Sequence, residues 1–255
     1  MEASMNGNND LIVEFDGVSL NYHDAQGETA AISNLSFSVK KGEFVSIVGP
    51  SGCGKTSVLS LVAGITKPSG GRLSLNCGRP GYMLQQDHLL DWRTVEGNVL
   101  LGLEVQRSIN EETRAYALGL LERYGLGEFS ARYPGQLSGG MRQKVALIRT
   151  LATKPELLLL DEPFSALDFQ TRLRLGDEIH SILKEEGKTV ILVTHDISEA
   201  VSMGDRVLVF SSRPTRIKAE HIIDIDEQKP IQRRNAESFK YYFNAIWREL
   251  DHDET

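Results

Sequence analysis

The stretch Gly49-Pro50-Ser51-Gly52-Cys53-Gly54-Lys55-Thr56, continued by Ser57, has the spacing G-x-x-x-x-G-K-[ST] of a phosphate-binding loop. Glycines at these positions let backbone N–H groups turn inward and approach phosphate oxygens closely. Lys55 can then reach the β- and γ-phosphates of a nucleoside triphosphate. Thr56 can offer its hydroxyl to Mg²⁺. Phe44 to Val48 forms a short apolar run ahead of the loop, and a helical pattern runs through Val58 and Leu59 behind it. That strand–loop–helix context is what the motif requires, because the helix then points its positive end at the anion.

Two further stretches supply complementary groups. Leu157 to Leu160 read as a buried strand with Asp161 and Glu162 at its tip. In open α/β sheets, strand tips border the ligand crevice. There Asp161 suits Mg²⁺, and Glu162 suits accepting a proton from, or orienting, an attacking water. Leu137-Ser138-Gly139-Gly140-Met141-Arg142-Gln143 opens a helix that continues through Val145, Leu147 and Leu151. A serine and two glycines at a helix N-terminus present a hydroxyl and backbone donors to a phosphate; an ordinary serine cap with a glycine turn has the same pattern.

These groups need a scaffold, and the apolar pattern outlines it. Leu11, Val13 and Phe15 alternate, as do Leu35, Phe37 and Val39, so the chain opens with short β segments. The span from about Thr94 to Leu126 is helical in pattern, with Asn110-Glu111-Glu112 as a cap and acidic first turn before Ala115, Leu118 and Leu121. A mainly helical insertion is therefore expected over 88–150. Strands return at Leu157–Leu160, Thr189–Val193 and Arg206–Phe210. A helix carrying Leu175, Ile179, Ile182 and Leu183 lies between the first two and ends at Gly187. Strands alternating with helices predict a mostly parallel sheet covered on both faces. Phe239, Phe243, Ile246, Trp247 and Leu250 form one face of a final helix.

Composition narrows the partners. The chain has 255 residues and a net charge of −7, from 28 basic and 35 acidic side chains. An acidic surface is a poor match for phosphate backbones, so no nucleic acid partner is expected. Two cysteines, Cys53 and Cys77, give no disulfide framework and fit a reducing compartment. The polar start MEASMNGNND does not read as an export signal, and no apolar run approaches the ~20 residues of a membrane span. Any membrane association is expected to run through a partner.

Together these motifs resemble the ATP-binding cassette family, the motor subunits of ABC transporters, over about Leu11 to Phe210. Leu137–Gln143 resembles that family's signature. The resemblance implies an α/β fold of the P-loop NTPase (RecA-like) type. Its mostly parallel sheet carries an N-terminal antiparallel β subdomain and the inserted helical subdomain. The cassette would occupy 11–230 and a helical tail 231–255. Further roles are implied residue by residue. Tyr22 matches the ring stacked on adenine. Gln85, with Gln86 as the neighbouring register, matches the glutamine that contacts Mg²⁺ and water. Ser165-Ala166-Leu167-Asp168 matches the D-loop, and His195 matches the switch histidine at the γ-phosphate.

The resemblance also implies a homodimer in which ATP and Mg²⁺ lie between Lys55 of one copy and Ser138, Gly139 and Gly140 of the other. Permease subunits, and indirectly a solute-binding protein, would complete the machine at the cytoplasmic face of the cell membrane. Met141, Leu89-Leu90-Asp91-Trp92, Asn98-Val99 and Ser211-Ser212-Arg213-Pro214 are similar to nitrate/sulfonate/taurine-type importers. Asp91 departs from the proline usual there, and Lys144 stands where arginine is usual. An exporter motor and a soluble ATPase of the same family are the alternatives. A P-loop kinase or GTPase is disfavoured, since neither uses a signature loop.

Overall fold

The computed structural model describes residues 10–24 and 27–251. Residues 1–9, which hold most of the stretch read as lacking an export signal, lie outside the described residues, as do 252–255 of the expected tail.

Two sheets form the scaffold. β1 (Leu11–Asp24) and β2 (Gly27–Lys40) make an antiparallel hairpin, and β4 (Gly70–Leu75) pairs with the other side of β1. Phe15 faces Phe37 across the hairpin with ring centroids 4.5 Å apart, a cross-strand aromatic pair that favours this register. The second sheet has the order β5 (Gly81–Met83), β6 (Leu157–Asp161), β7 (Thr189–Val193), β3 (Phe44–Val48), β8 (Arg206–Phe210), β9 (Ile217–Ile222). All its pairings are parallel except β8 with β9.

β3, β6 and β7 are buried along their whole length, which explains why they are continuous apolar runs rather than alternating ones. Successive side chains point to opposite faces. Leu158, Leu160, Val190 and Leu192 join one core, and Leu157, Leu159, Ile191 and Val193 join the other. Each such fully buried side chain contributes about 1.5–3 kcal/mol relative to exposure.

α1 (Lys55–Val62) follows β3 directly. Between β5 and β6 the chain is helical, with α2 (Val95–Val105), α3 (Glu111–Arg123), two short 3₁₀ turns and α4 (Gly139–Leu151). The helical span from Thr94 is divided, and its second helix starts at the cap expected at Asn110. Arg107 adopts φ 54°, and α3 restarts under an Asn110 cap, where the side chain accepts from Thr113 N at 2.8 Å. α4 returns to the sheet, where Thr150 and Pro155 crowd Gly81 of β5.

α5 (Phe169–Glu185) buries Leu175, Ile179, Ile182 and Leu183 and is followed by Gly187 at φ 61°. α6 (Ile197–Met203) and α7 (Pro230–Arg233) lead to α8 (Glu237–Asp251). α8 buries Phe239 and Ile246 in a third core with Val48, Val201 and Val209. Trp247, expected on the same packed face, is instead 55% exposed at the helix edge. Among the described residues no helix is long and apolar enough to cross a membrane.

Candidate active site

The loop between β3 and α1 is held open by backbone geometry. Gly52 and Gly54 have φ 74° and 124°, where a side chain is strained. A Cβ on Gly54 would also lie 2.7 Å from Thr215 Oγ1. Behind the loop, the Thr215 hydroxyl donates to the Cys53 carbonyl, and Thr215 N donates to Ala31 O at 2.9 Å. Cys53 is buried beneath the loop, and burial pushes its thiol up. α1 begins without a side-chain cap and without an acid in its first turn, so its first N–H groups face outward to an anion. The Lys55 ammonium is almost fully buried and donates to Gly49 O at 2.7 Å and Pro50 O at 3.0 Å. Tyr22, on the hairpin, donates to Ser57 Oγ at 3.1 Å and is 42% exposed, so its ring stands at the edge of this loop.

The tip of β6 brings the acids alongside. Asp161 is buried and accepts from Thr56 Oγ1 and Tyr82 Oη, each at 3.3 Å. Burial raises its pKa, against the pull of those two donors. Desolvation thus makes the lone carboxylate uncomfortable and a cation welcome. Thr56 and Asp161 together present oxygen ligands of the kind Mg²⁺ takes. Among the described residues no group of three or more His, Cys, Asp or Glu could hold a metal by itself.

Glu162 stands at φ 45°, in the left-handed region, an arrangement that costs about 1–3 kcal/mol and persists only when its surroundings impose it. Here Glu162 N donates to Val193 O at 2.8 Å, and Ser165 Oγ donates to Glu162 O at 3.0 Å. The twist aims the carboxylate at two partners. His195 Nδ1 lies 3.0 Å from Oε2, and Gln85 Nε2 donates to the same oxygen at 3.2 Å. It is Gln85, not Gln86, that reaches Glu162, and its amide also donates to Ser165 Oγ at 3.4 Å.

Thr56 with Asp161, and Gln85 and His195 with Glu162, therefore form two contact groups at the C-terminal ends of β3, β5, β6 and β7, with Lys55 beside Thr56. Ser138, Gly139 and Gly140 have other neighbours. Ser138 caps α4 by accepting from Met141 N at 3.3 Å, and a Cβ on Gly139 would meet Leu167 Cδ2 at 3.3 Å. Asp168 caps α5 by accepting from Thr171 N at 3.1 Å, a bond that lowers its pKa.

Several supporting residues carry no motif. Arg172 Nη2 donates to Leu167 O at 3.1 Å, and its other nitrogens lie 3.5 Å from Asp196 Oδ2 and 3.7 Å from Glu199 Oε1. Glu199 is buried and accepts from Thr194 Oγ1 at 2.7 Å. Thr194 precedes His195, so this network joins the turn before α5 to the histidine loop. Thr215 and Tyr82 also escape sequence reasoning, since a lone hydroxyl has no pattern.

Comparison with known proteins gives the family and the fold. The ABC transporter family profile matches residues 32–165. The uncharacterized ABC transporter ATP-binding protein YtlC of Bacillus subtilis is 47% identical, covering 92% of this chain and 94% of that protein. The nitrate transport protein NasD of Klebsiella oxytoca is 38% identical, covering 91% and 92%. A solved dimer of the ATP-binding cassette MJ0796, in a post-hydrolysis state with ADP and Pi, superposes with TM-score 0.70. It is 30% identical and covers 83% of this chain and 99% of its own. A glycine loop, a strand-tip acid pair and a serine–glycine helix start thus sit on the expected α/β scaffold, and the chain belongs to the ABC transporter family as an ATP-binding, ATP-hydrolysing subunit.

Proposed function

We propose that this chain is the motor subunit of an importer for nitrate-, sulfonate- or taurine-type solutes, acting as an ATP-closed homodimer under a permease at the cytoplasmic face of the cell membrane. The observation that carries the mechanism is the convergence of Gln85 and His195 on one oxygen of Glu162, beside Asp161 and Thr56. Residues 11–230 form the cassette, with 88–150 as its helical subdomain and 231–255 as a tail.

In this reading Gly49 to Ser57 cradle the triphosphate, Lys55 neutralises its terminal oxygens, and Tyr22 stacks on the base. Thr56, Asp161 and Gln85 hold magnesium, which when bound supplies positive charge to the terminal phosphates. Glu162 orients the attacking water and accepts its proton. His195, fixed by that carboxylate, donates to the γ-phosphate. Ser138, Gly139, Gly140 and Asp168 serve the site of the partner copy. A clamped ATP bridges the two copies, and hydrolysis removes the bridge, so the interface loosens and the docked permease moves. The likeness to NasD supports the solute class.

The test is Glu162→Gln, which keeps the shape and removes the base. ATP turnover should fall about 10²–10⁴-fold, and the variant should sediment as a dimer with ATP and as a monomer without it. Turnover equal to that of the unaltered chain would refute Glu162 as the base. Uptake of labelled nitrate or taurine by cells carrying Lys55→Ala tests the solute: loss of neither flux rejects nitrate and taurine as the cargo.

A further inference from the structure

A cavity of about 290 Å³ opens beside the phosphate loop. Pro50 and His195 form one wall, and Ile197, Trp247 and Leu250 form the other. Its floor is thus built jointly by the nucleotide site and by the last turns of α8. Pro50 and His195 belong to the nucleotide site, but none of the roles assigned above uses Ile197, Leu250 or Trp247, whose indole is held in a row of rings, 6.2 Å from Phe243. Elsewhere on the same chain stands an exposed aromatic ring. Phe169, directly after Asp168, is 67% exposed. A phenyl ring so bare, on the first residue of a helix that otherwise buries its apolar positions, is the kind of feature that marks an interface.

Two contacts fix where that ring would go. A Cβ on Gly139 would meet Leu167 at 3.3 Å, and one on Gly140 would meet Thr171 at 3.1 Å. The serine–glycine turn and the start of α5 are therefore packed directly against each other. If Ser138 of one copy faces the phosphate loop of the other, Phe169 travels with it to the edge of that loop, where the cavity lies. We infer that Phe169 of one copy inserts into the Pro50–Trp247–Leu250 cavity of a second copy, so that α8 is part of the ATP-closed interface. This rests on the ATP-clamped dimer proposed above. It adds that closure is sensed by the tail, and that an apolar anchor beside His195 excludes water from the closed site.

The experiment uses the full chain carrying Glu162→Gln and Trp92→Phe, which leaves Trp247 as the single tryptophan. On adding ATP and magnesium, the Trp247 emission should shift to the blue as the dimer forms. Phe169→Ala should abolish the shift and weaken ATP-dependent dimerisation about tenfold, the loss expected for truncating an aromatic anchor. Trp247→Ala, followed by sedimentation, should weaken it similarly, and the double variant should be little worse than either single one. A dimer that forms with no change in Trp247 emission, or single variants whose effects are absent or simply add, overturns the insertion and leaves the clamp standing. Failure of ATP to bring the copies together at all overturns the clamp itself, and the insertion with it.

Discussion

Replacing Arg172 by methionine isolates the network that joins the start of α5 to the histidine loop. Methionine keeps most of the apolar stem and removes the guanidinium. The loss falls chiefly on Glu199, whose side chain is 6% exposed, against 22% for Arg172. Breaking a buried pair costs about 3–5 kcal/mol. Thr194 still donates to Glu199 at 2.7 Å and Arg234 still favours its charged form, so roughly 3 kcal/mol is the ceiling here. At ~2–4 °C per kcal/mol for a chain of this size, the melting temperature should fall by no more than about 6–12 °C.

The pH dependence gives a sharper check. Burial already raises the Glu199 pKa, and Arg172 is among the groups that hold it down. Without Arg172 it climbs further. A carboxyl whose folded pKa exceeds its unfolded value binds more protons when folded, so stability falls as pH rises from about 4.3 through the folded value. The deficit of Arg172→Met should therefore be small near pH 5 and large near pH 8, read by thermal melts across that range. A deficit of equal size at both ends, or none, would refute the assignment of Arg172 as the partner of a buried charge.

Other substitutions probe the same scaffold. Gly54→Ala places a Cβ 2.7 Å from Thr215 Oγ1 at φ 124°; it should destabilise the fold by at least about 2 kcal/mol and abolish ATP binding in a calorimetric titration. Asn98 is fully buried, accepts from Leu90 N at 2.7 Å and donates to the carbonyls of Leu90, Arg93 and Thr94. Asn98→Ala should therefore cost about 1–3 kcal/mol in a denaturant melt and loosen the loop that carries Asp91 and Trp92. Both thiols are raised by burial, but Cys53 is the more enclosed, so N-ethylmaleimide should label Cys77 first in a mass-spectrometric time course.

What the sequence discloses is what chemistry or burial forces into a local pattern. A phosphate cradle needs glycines at fixed offsets, and strands buried on both faces need unbroken aliphatic runs, so Gly49–Thr56, β3, β6 and β7 are visible at once. β4, β5 and β9 are not. β5 is three residues long, and the inward face of β9 is only half-buried and ends in a polar residue, running Ile217, Ala219, His221. The start of α3 is marked by the Asn110 cap, but the end of α2 is not, because Arg107, rather than glycine or proline, takes the left-handed turn. Thr215 lies 162 residues from the carbonyl it holds, and Arg172 acts on groups 24 and 27 residues away, so neither leaves a trace in any short window. Trp247 misleads by one step of the helical wheel: adjacent to Ile246, it falls at the rim of the buried stripe.

The arrangement around Glu162 also indicates how the helical part of the chain can be felt at the site. Gln85 and His195 both address Oε2 of one carboxylate, so a shift of either changes the hydrogen bonding of the other. Gln85 is not free to wander. Just beyond it, Asp87 Oδ2 accepts from Arg142 Nε at 3.0 Å, and Arg149 donates to the carbonyls of Asp87 and His88 at 2.6 and 2.8 Å. Both arginines stand on α4, the helix that Ser138 opens. The serine–glycine turn is therefore connected to the carboxylate by contacts that run through α4, two arginines and a four-residue stretch, Gln85 to His88. Such a chain of contacts transmits only if it has two discrete settings. A single oxygen serving two donors is a simple way to have them: one donor can leave while the other holds the carboxylate in place.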